Sequence, residues 1–194
     1  MGMNVRYSPL EWIQSLKRFR WHTRDGSDDF DFFVRRMTPA PVIASSAAAY
    51  ESTVVRSGDI IKTTIVLDLT GLKSTATNKD IIGDTGVSHI GQITAAVNGT
   101  IFKGQMGCME VPVAGDDDID LYSADEGTGA YDADGSGLTE TVLVTAGGAH
   151  AIGTVKPFTA LPVANEYLYL VTGDTTGGTY SAGIIYIEMW GYVA

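Results

Sequence analysis

The residues best suited to chemistry are crowded into one stretch. Between Glu110 and Glu140 the chain carries ten acids and no lysine or arginine. Carboxylates at this density are the raw material for general acid–base catalysis, as in a glycosidase, or for holding a hard cation. The sharpest local pattern is Asp132-Ala133-Asp134-Gly135-Ser136-Gly137. It copies the first half of an EF-hand loop, with oxygen ligands at positions one, three and five and glycine at six. The copy breaks at position twelve, where Leu143 stands in place of the bidentate glutamate, although Glu140 could supply an oxygen. Asp132, Asp134, Ser136 and Glu140 are therefore weak calcium candidates, and Asp116-Asp117-Asp118 is a second. Against both stands the commoner fate of acids in glycine-rich loops, which is a solvated surface.

Other catalytic arrangements fail on spacing. The histidines are His22, His89 and His150, and no His-x-x-x-His or Glu-x-x-His pair occurs. Ser136 has Asp134 where a nucleophile elbow needs its first glycine. There is no phosphate-binding glycine loop. Cys108 is the single cysteine, so no internal disulfide can form, which fits assembly in a reducing cytoplasm. Within an alternating strand it reads as a buried, inert thiol. Tyr167, Tyr169, Tyr186, Trp190 and Tyr192 could stack on a sugar, but inside apolar runs they read as packing. The residues call for no cofactor and no enzyme.

Two kinds of element must position these groups. The first is an N-terminal arm, residues 1–50. Ser8, Pro9 and Glu11 predict a capped helix over residues 8–20. Trp12, Ile13, Leu16 and Phe19 form its apolar face, and Lys17 and Arg18 come late, where the helix dipole favours cations. Phe30, Phe32, Phe33, Arg35 and Arg36 follow as a short strand or a peptide laid across a partner, and Pro39, Pro41 and the run 44–49 form a linker. The apolar face needs a surface, either on its own domain or on a neighbouring subunit. Residues 1–40 hold seven bases against five acids, a balance of +2, which leaves −12 for the rest of a chain whose net charge is −10. An acidic body argues against general nucleic-acid binding. No run approaches the ~20 apolar residues of a membrane span, and the start of the chain lacks the apolar core of a signal peptide.

The second kind of element is the strand, which fills the body from residue 51 to 194. Ile61, Thr63, Ile65, Leu67 and Leu69 alternate with Lys62, Thr64 and Asp68, a strong strand pattern. Asn98-Gly99 lies between two alternating runs and predicts a two-residue type I′ hairpin across Val87–Met109, around which the other strands stack. Further strands are predicted around Ile119–Tyr122, Leu138–Val144, Ile152–Phe158, Val163–Thr172 and Gly183–Val193. The polar loop 73–86 tucks Ile81-Ile82 back into the core. About nine strands at this spacing, with no helical pattern between them, predict an all-β fold, an antiparallel β-sandwich of jelly-roll type.

Four stretches carry a family resemblance: Ile60–Gly86, Ser88–Phe102, Asp118–Gly129 and Ala160–Tyr192. Together they resemble structural proteins of tailed bacteriophages, a group common among marine and cyanobacterial phages. The resemblance implies a non-enzymatic virion component with a β-sandwich body, assembled in the host cytoplasm, and brings no catalytic residues with it. The expected role is a capsid decoration or cement protein, with a trimer favoured. Its arm would dock on the major capsid protein or other virion subunits through Trp12, Leu16, Arg18, Phe19, Phe32, Phe33, Arg35 and Arg36. No nucleic acid or membrane partner is expected. The alternatives are a tail, neck or fibre component, or a carbohydrate-binding module for host attachment.

Overall fold

The computed structural model describes residues 50–145 and 147–193 in full, and the backbone alone of 20–21, 30–31 and 34–35. Trp12, Leu16, Arg18, Phe19, Phe32, Phe33 and Arg36 lie outside the described residues, and so does the predicted arm helix except for Arg20, whose backbone is strand paired with Asp31 and not the end of a helix.

The described strands are β1 (Arg20–Trp21), β2 (Phe30–Asp31), β3 (Val34–Arg35), β4 (Tyr50–Ser57), β5 (Ile60–Asp68), β6 (Lys73–Ser74), β7 (Thr100–Val113), β8 (Ile119–Ala124), β9 (Glu140–Val144), β10 (Val155–Pro157), β11 (Tyr167–Thr172), β12 (Gly178–Thr179) and β13 (Ala182–Tyr192). One helical turn, α1 (Ala95–Asn98), and one 3₁₀ turn, η1 (Gly135–Gly137), interrupt them. All pairings between these strands are antiparallel. A six-stranded sheet runs β10-β7-β13-β5-β4-β3, and a three-stranded sheet runs β11-β8-β9. Two small ladders, β1-β2 and β12-β6, complete the set.

The alternation read in residues 60–69 is realised in β5. Ile61, Thr63, Ile65 and Leu67 are buried, and the residues between them are half-buried. Ile185, Ile187 and Met189 of β13 are buried in the same way. These side chains share one core cluster with Leu121, Leu143, Leu168 and Leu170 from the smaller sheet. Each such side chain contributes roughly 1.5–3 kcal/mol through removal from water. The smaller sheet is buried on both faces. Tyr122, Ala124, Tyr169 and Val171 point away from that core into a second cluster with Ile81, under a lid that includes Ala133 and Leu138. This explains why β11 reads as a continuous apolar run rather than an alternating one. Ile81 and Ile82 are fully buried, as the loop reading expected.

The hairpin expected at Asn98-Gly99 is not formed. Residues 90–93 run along the start of β11 instead, with Ile90 N–H donating to Leu168 O at 2.8 Å and Ile93 N–H to Glu166 O at 2.8 Å. The chain then coils through α1, and β7 pairs with β13 and β10. A type I′ turn needs positive φ at two residues. Here only Gly99 has it (φ 68°), and Asn98 does not. The physical reason is the Asn98 side chain. Its Oδ1 accepts from Thr94 N–H at 2.9 Å and its Nδ2 donates to Thr63 Oγ1 at 2.9 Å, so it closes the helical turn from inside the core. Gly99 then lies against β13, where a Cβ would sit 2.5 Å from Tyr192 O. Gly191 makes the reciprocal approach, since a Cβ there would collide with the carbonyl of Asn98.

Candidate functional site

The acids of the 110–140 stretch hold loops together. Asp116 is fully buried, and its carboxylate accepts from the backbone N–H of Asp118 and of Asp174, each at 3.0 Å. Its own N–H donates to Ser74 Oγ at 2.9 Å, and Tyr180 Oη donates to its carbonyl at 2.8 Å. Burial pushes the Asp116 carboxyl above the usual range, with the two backbone donors pulling the other way. Burial also pushes the Tyr180 phenol well up. Asp118 accepts from Gly148 N–H at 2.8 Å through one oxygen, while its other oxygen is buried without a partner. Glu126 accepts from Thr139 Oγ1 at 2.7 Å and Thr139 N–H at 2.9 Å, which closes the β8–β9 connection and holds this carboxyl below its ordinary range. Asp134 accepts from Ser136 Oγ at 2.6 Å and Ser136 N–H at 2.8 Å, capping η1, and these bonds lower its pKa.

The calcium candidates stand as follows. Asp134 is turned onto Ser136, Asp132 sits exposed with positive φ (67°), and Glu140 opens β9 beside Ala124. Among the described residues, no group of three or more His, Cys, Asp or Glu side chains comes together as a metal site. An acid outside the stretch does similar work. Buried Glu166 accepts from Ser123 Oγ at 2.7 Å and Val163 N–H at 2.9 Å.

His150, expected in a turn region, is buried at 2% exposure. Its Nε2 lies 2.9 Å from Ile119 O, which requires the proton on Nε2 and leaves Nδ1 an acceptor, buried without a partner. Burial lowers its pKa. His89 is buried 4.8 Å from the Tyr167 ring, and burial lowers its pKa as well. Cys108 is buried at 1% exposure, and burial raises its thiol pKa, as expected for an inert core cysteine.

The outer face of the six-stranded sheet carries the terminal aromatics. Trp190 lies between β5 and β7, with Lys103 Nζ 4.7 Å and Lys62 Nζ 5.4 Å from its ring centroid. Lys62 also pairs with Glu188 at 2.5 Å, and Gln105 Nε2 donates to Glu188 at 2.9 Å. Tyr186 lies over Gly107, where a Cβ would meet its ring. Tyr167 and Tyr169 belong to the smaller sheet. The stripe of five aromatics is thus divided between two surfaces.

The feature the sequence did not announce is at the β4–β5 turn end. A cleft of about 170 Å³ is lined by Val54, Arg56, Ile61, Ala95, Ala96, Val97 and Val193. Near it, Ile60, Phe102 and Tyr192 are each more than 40% exposed. Ile60 and Tyr192 are register partners, and the Phe102 and Tyr192 rings lie 6.3 Å apart. Nothing marked Ala95–Val97 as a wall, because a three-residue apolar run reads as strand until the turn at Asn98 is known.

Comparison with protein-family models, with curated proteins and with solved structures finds no match.

Proposed function

We propose that this chain is a non-enzymatic structural protein of a tailed-phage virion, a capsid decoration or cement protein. The body would be a jelly-roll-like β-sandwich, the six-stranded sheet packed over the three-stranded one. The N-terminal arm would dock on the major capsid protein or another virion subunit, and the protein would act as a trimer. The sequence resemblance motivates the reading. The observation that supports it most directly is the use made of the acids. Asp116, Glu126, Asp134 and Glu166 accept bonds that staple loops to strands, which suits a rigid building block more than a reaction centre.

Several arms per oligomer would turn modest single contacts into durable attachment by raising the effective concentration of each further arm. A glycan-binding role is less well supported. Two ammonium groups crowd the Trp190 ring, which would have to serve as a stacking platform. The test is protein composition and imaging of purified particles. Many copies on the head are expected. Density on the tail, neck or fibre would favour that alternative, and absence from the particle would overturn the proposal.

A further inference from the structure

The register of the six-stranded sheet lays its outer face out in rows. Trp190 is opposite Lys62 on β5 and Lys103 on β7, and Glu188 is opposite Thr64 and Gln105. Tyr186 is opposite Val66 and Gly107, and Ile184 is opposite Asp68 and Glu110. Side chains opposite one another in an antiparallel pair share a face. The bases therefore lie at one end of this face and the acids Asp68 and Glu110 at the other. Glu188, between them, is held by Lys62 and Gln105. Lys103 and Glu110 are both exposed, and neither has an ion pair among the described residues. We propose that this face is the contact between two copies of the chain, stacked about a two-fold axis that runs across the strands between the rows of Tyr186 and Glu188.

Three observations point to a second copy as the occupant. The first is charge. Turning a copy over about that axis sets each strand over the same strand of its mate and reverses the order of the rows. The row of Lys62, Trp190 and Lys103 then lies over the row of Asp68, Ile184 and Glu110, and the same match repeats on the other side of the axis. The second is the placing of apolar groups. β7 carries one extra residue at Phe102 and another at Met109, close to the two ends of the face. Phe102 and its neighbour Tyr192 are 46% and 43% exposed, and Met109 is 55% exposed. The rotation brings the Phe102–Tyr192 end of one copy over the Met109 end of the other. On β10 it brings Val155, in the row of Gly107, over Pro157, in the row of Gln105. The third is area. β13 has 11 residues and lies among the five strands β10, β7, β13, β5 and β4. Ordinary strand rise and spacing make such a face about 35 Å long and about 19 Å across. That is roughly 700 Å² on each copy, close to the ~800 Å² of a standard stable interface.

A contact of this kind is isologous and closes on two copies. It does not rest on the virion reading, and it is separate from the three-fold contact proposed above. Where a trimer forms as well, this face joins trimers in pairs.

Sedimentation of the full-length chain with charge-reversed variants tests this. The parent is expected to sediment with an even number of copies. Lys103→Glu and Glu110→Lys each set like charges against one another at two places in the pair, and each is expected to weaken it about tenfold or more. An equal mixture of the two variants is expected to recover the parental affinity, because every contact then joins opposite charges again. Both positions are exposed, and thermal melts followed by circular dichroism check that the variants fold. Met109→Ser, also at an exposed position, is the second perturbation and is expected to weaken the pair several-fold with no change of charge. A parent that stays a monomer at high micromolar concentration overturns the proposal, because something other than a second copy then covers the face. A loss of pairing that the mixture does not rescue also overturns it, because Lys103 and Glu110 then do not meet across the axis. A three-copy mass untouched by any variant overturns it and leaves the trimer reading standing. Chains that pair as expected but are missing from particles remove the virion reading alone.

Discussion

Replacing Gly191 by alanine tests the corner between α1 and β13. A Cβ at Gly191 would run into the carbonyl of Asn98, a backbone atom that cannot swing aside as a side-chain tip can. Relief requires β13 or α1 to shift. Overpacking of this kind costs about 1–3 kcal/mol. A shift of α1 also strains the Asn98–Thr63 bond of 2.9 Å, worth a further ~0.5–1.5 kcal/mol. The sum is roughly 1.5–4.5 kcal/mol, or a fall in Tm of about 3–18 °C for a chain of this size. Gly137→Ala serves as the control, because no atom lies within 4 Å of its would-be Cβ and its φ is not positive. It should be neutral or stabilising by up to ~1 kcal/mol. Thermal and urea unfolding of both variants, followed by circular dichroism, supply the comparison. If Gly191→Ala unfolds within ~0.5 kcal/mol of the parent, the close approach does not constrain the corner and the reasoning fails.

Three further outcomes follow from the stapled loops. Burial lowers the pKa of His150, so the folded state binds its proton less readily than the unfolded state does. Its contribution is present above the ordinary histidine value of about 6.5 and is lost as pH falls through it. His150→Gln should therefore flatten the loss of stability between about pH 7 and 5 by up to ~1.4 kcal/mol per pH unit, and an unchanged slope in urea titrations contradicts this. Tyr180→Phe removes the donor to the Asp116 carbonyl at 2.8 Å, with an expected cost of ~0.5–1.5 kcal/mol in chemical denaturation. Millimolar calcium should leave the unfolding midpoint unmoved, because Asp134 is committed to Ser136. A concentration-dependent rise in Tm would instead support ion binding by Asp132, Asp134, Ser136 and Glu140.

What could be read in advance followed the period of the apolar residues. β5 and β13 each bury one face only, so their two-residue alternation survives in the sequence. β4 was harder to see because one of its inward positions is Ser52. Asn98-Gly99 misled because the pair has two uses, and the choice between them depends on Thr63, thirty-five residues away. The acids misled for a related reason. Asp116 and Asp117 are adjacent and identical in type, yet one is fully buried and the other exposed. Burial of a carboxylate depends on which backbone N–H groups converge on it, here those of Asp118 and Asp174, and local spacing does not encode that convergence. The cleft was illegible because its walls come from β4, β5, α1 and the stretch after β13.

β13 is the last described strand to be synthesised, yet it lies at the centre of its sheet, bonded along its length to β5 on one side and β7 on the other. On the ribosome, β5 and β7 each wait with an open edge until β13 emerges. Open edges of apolar strands invite pairing with other chains. The six-stranded sheet therefore closes only once β13 has emerged, and a chain stopped before Ala182 keeps two adhesive edges. Translation rate and chaperone supply then bear on the yield of folded chains alongside the stability of the finished fold.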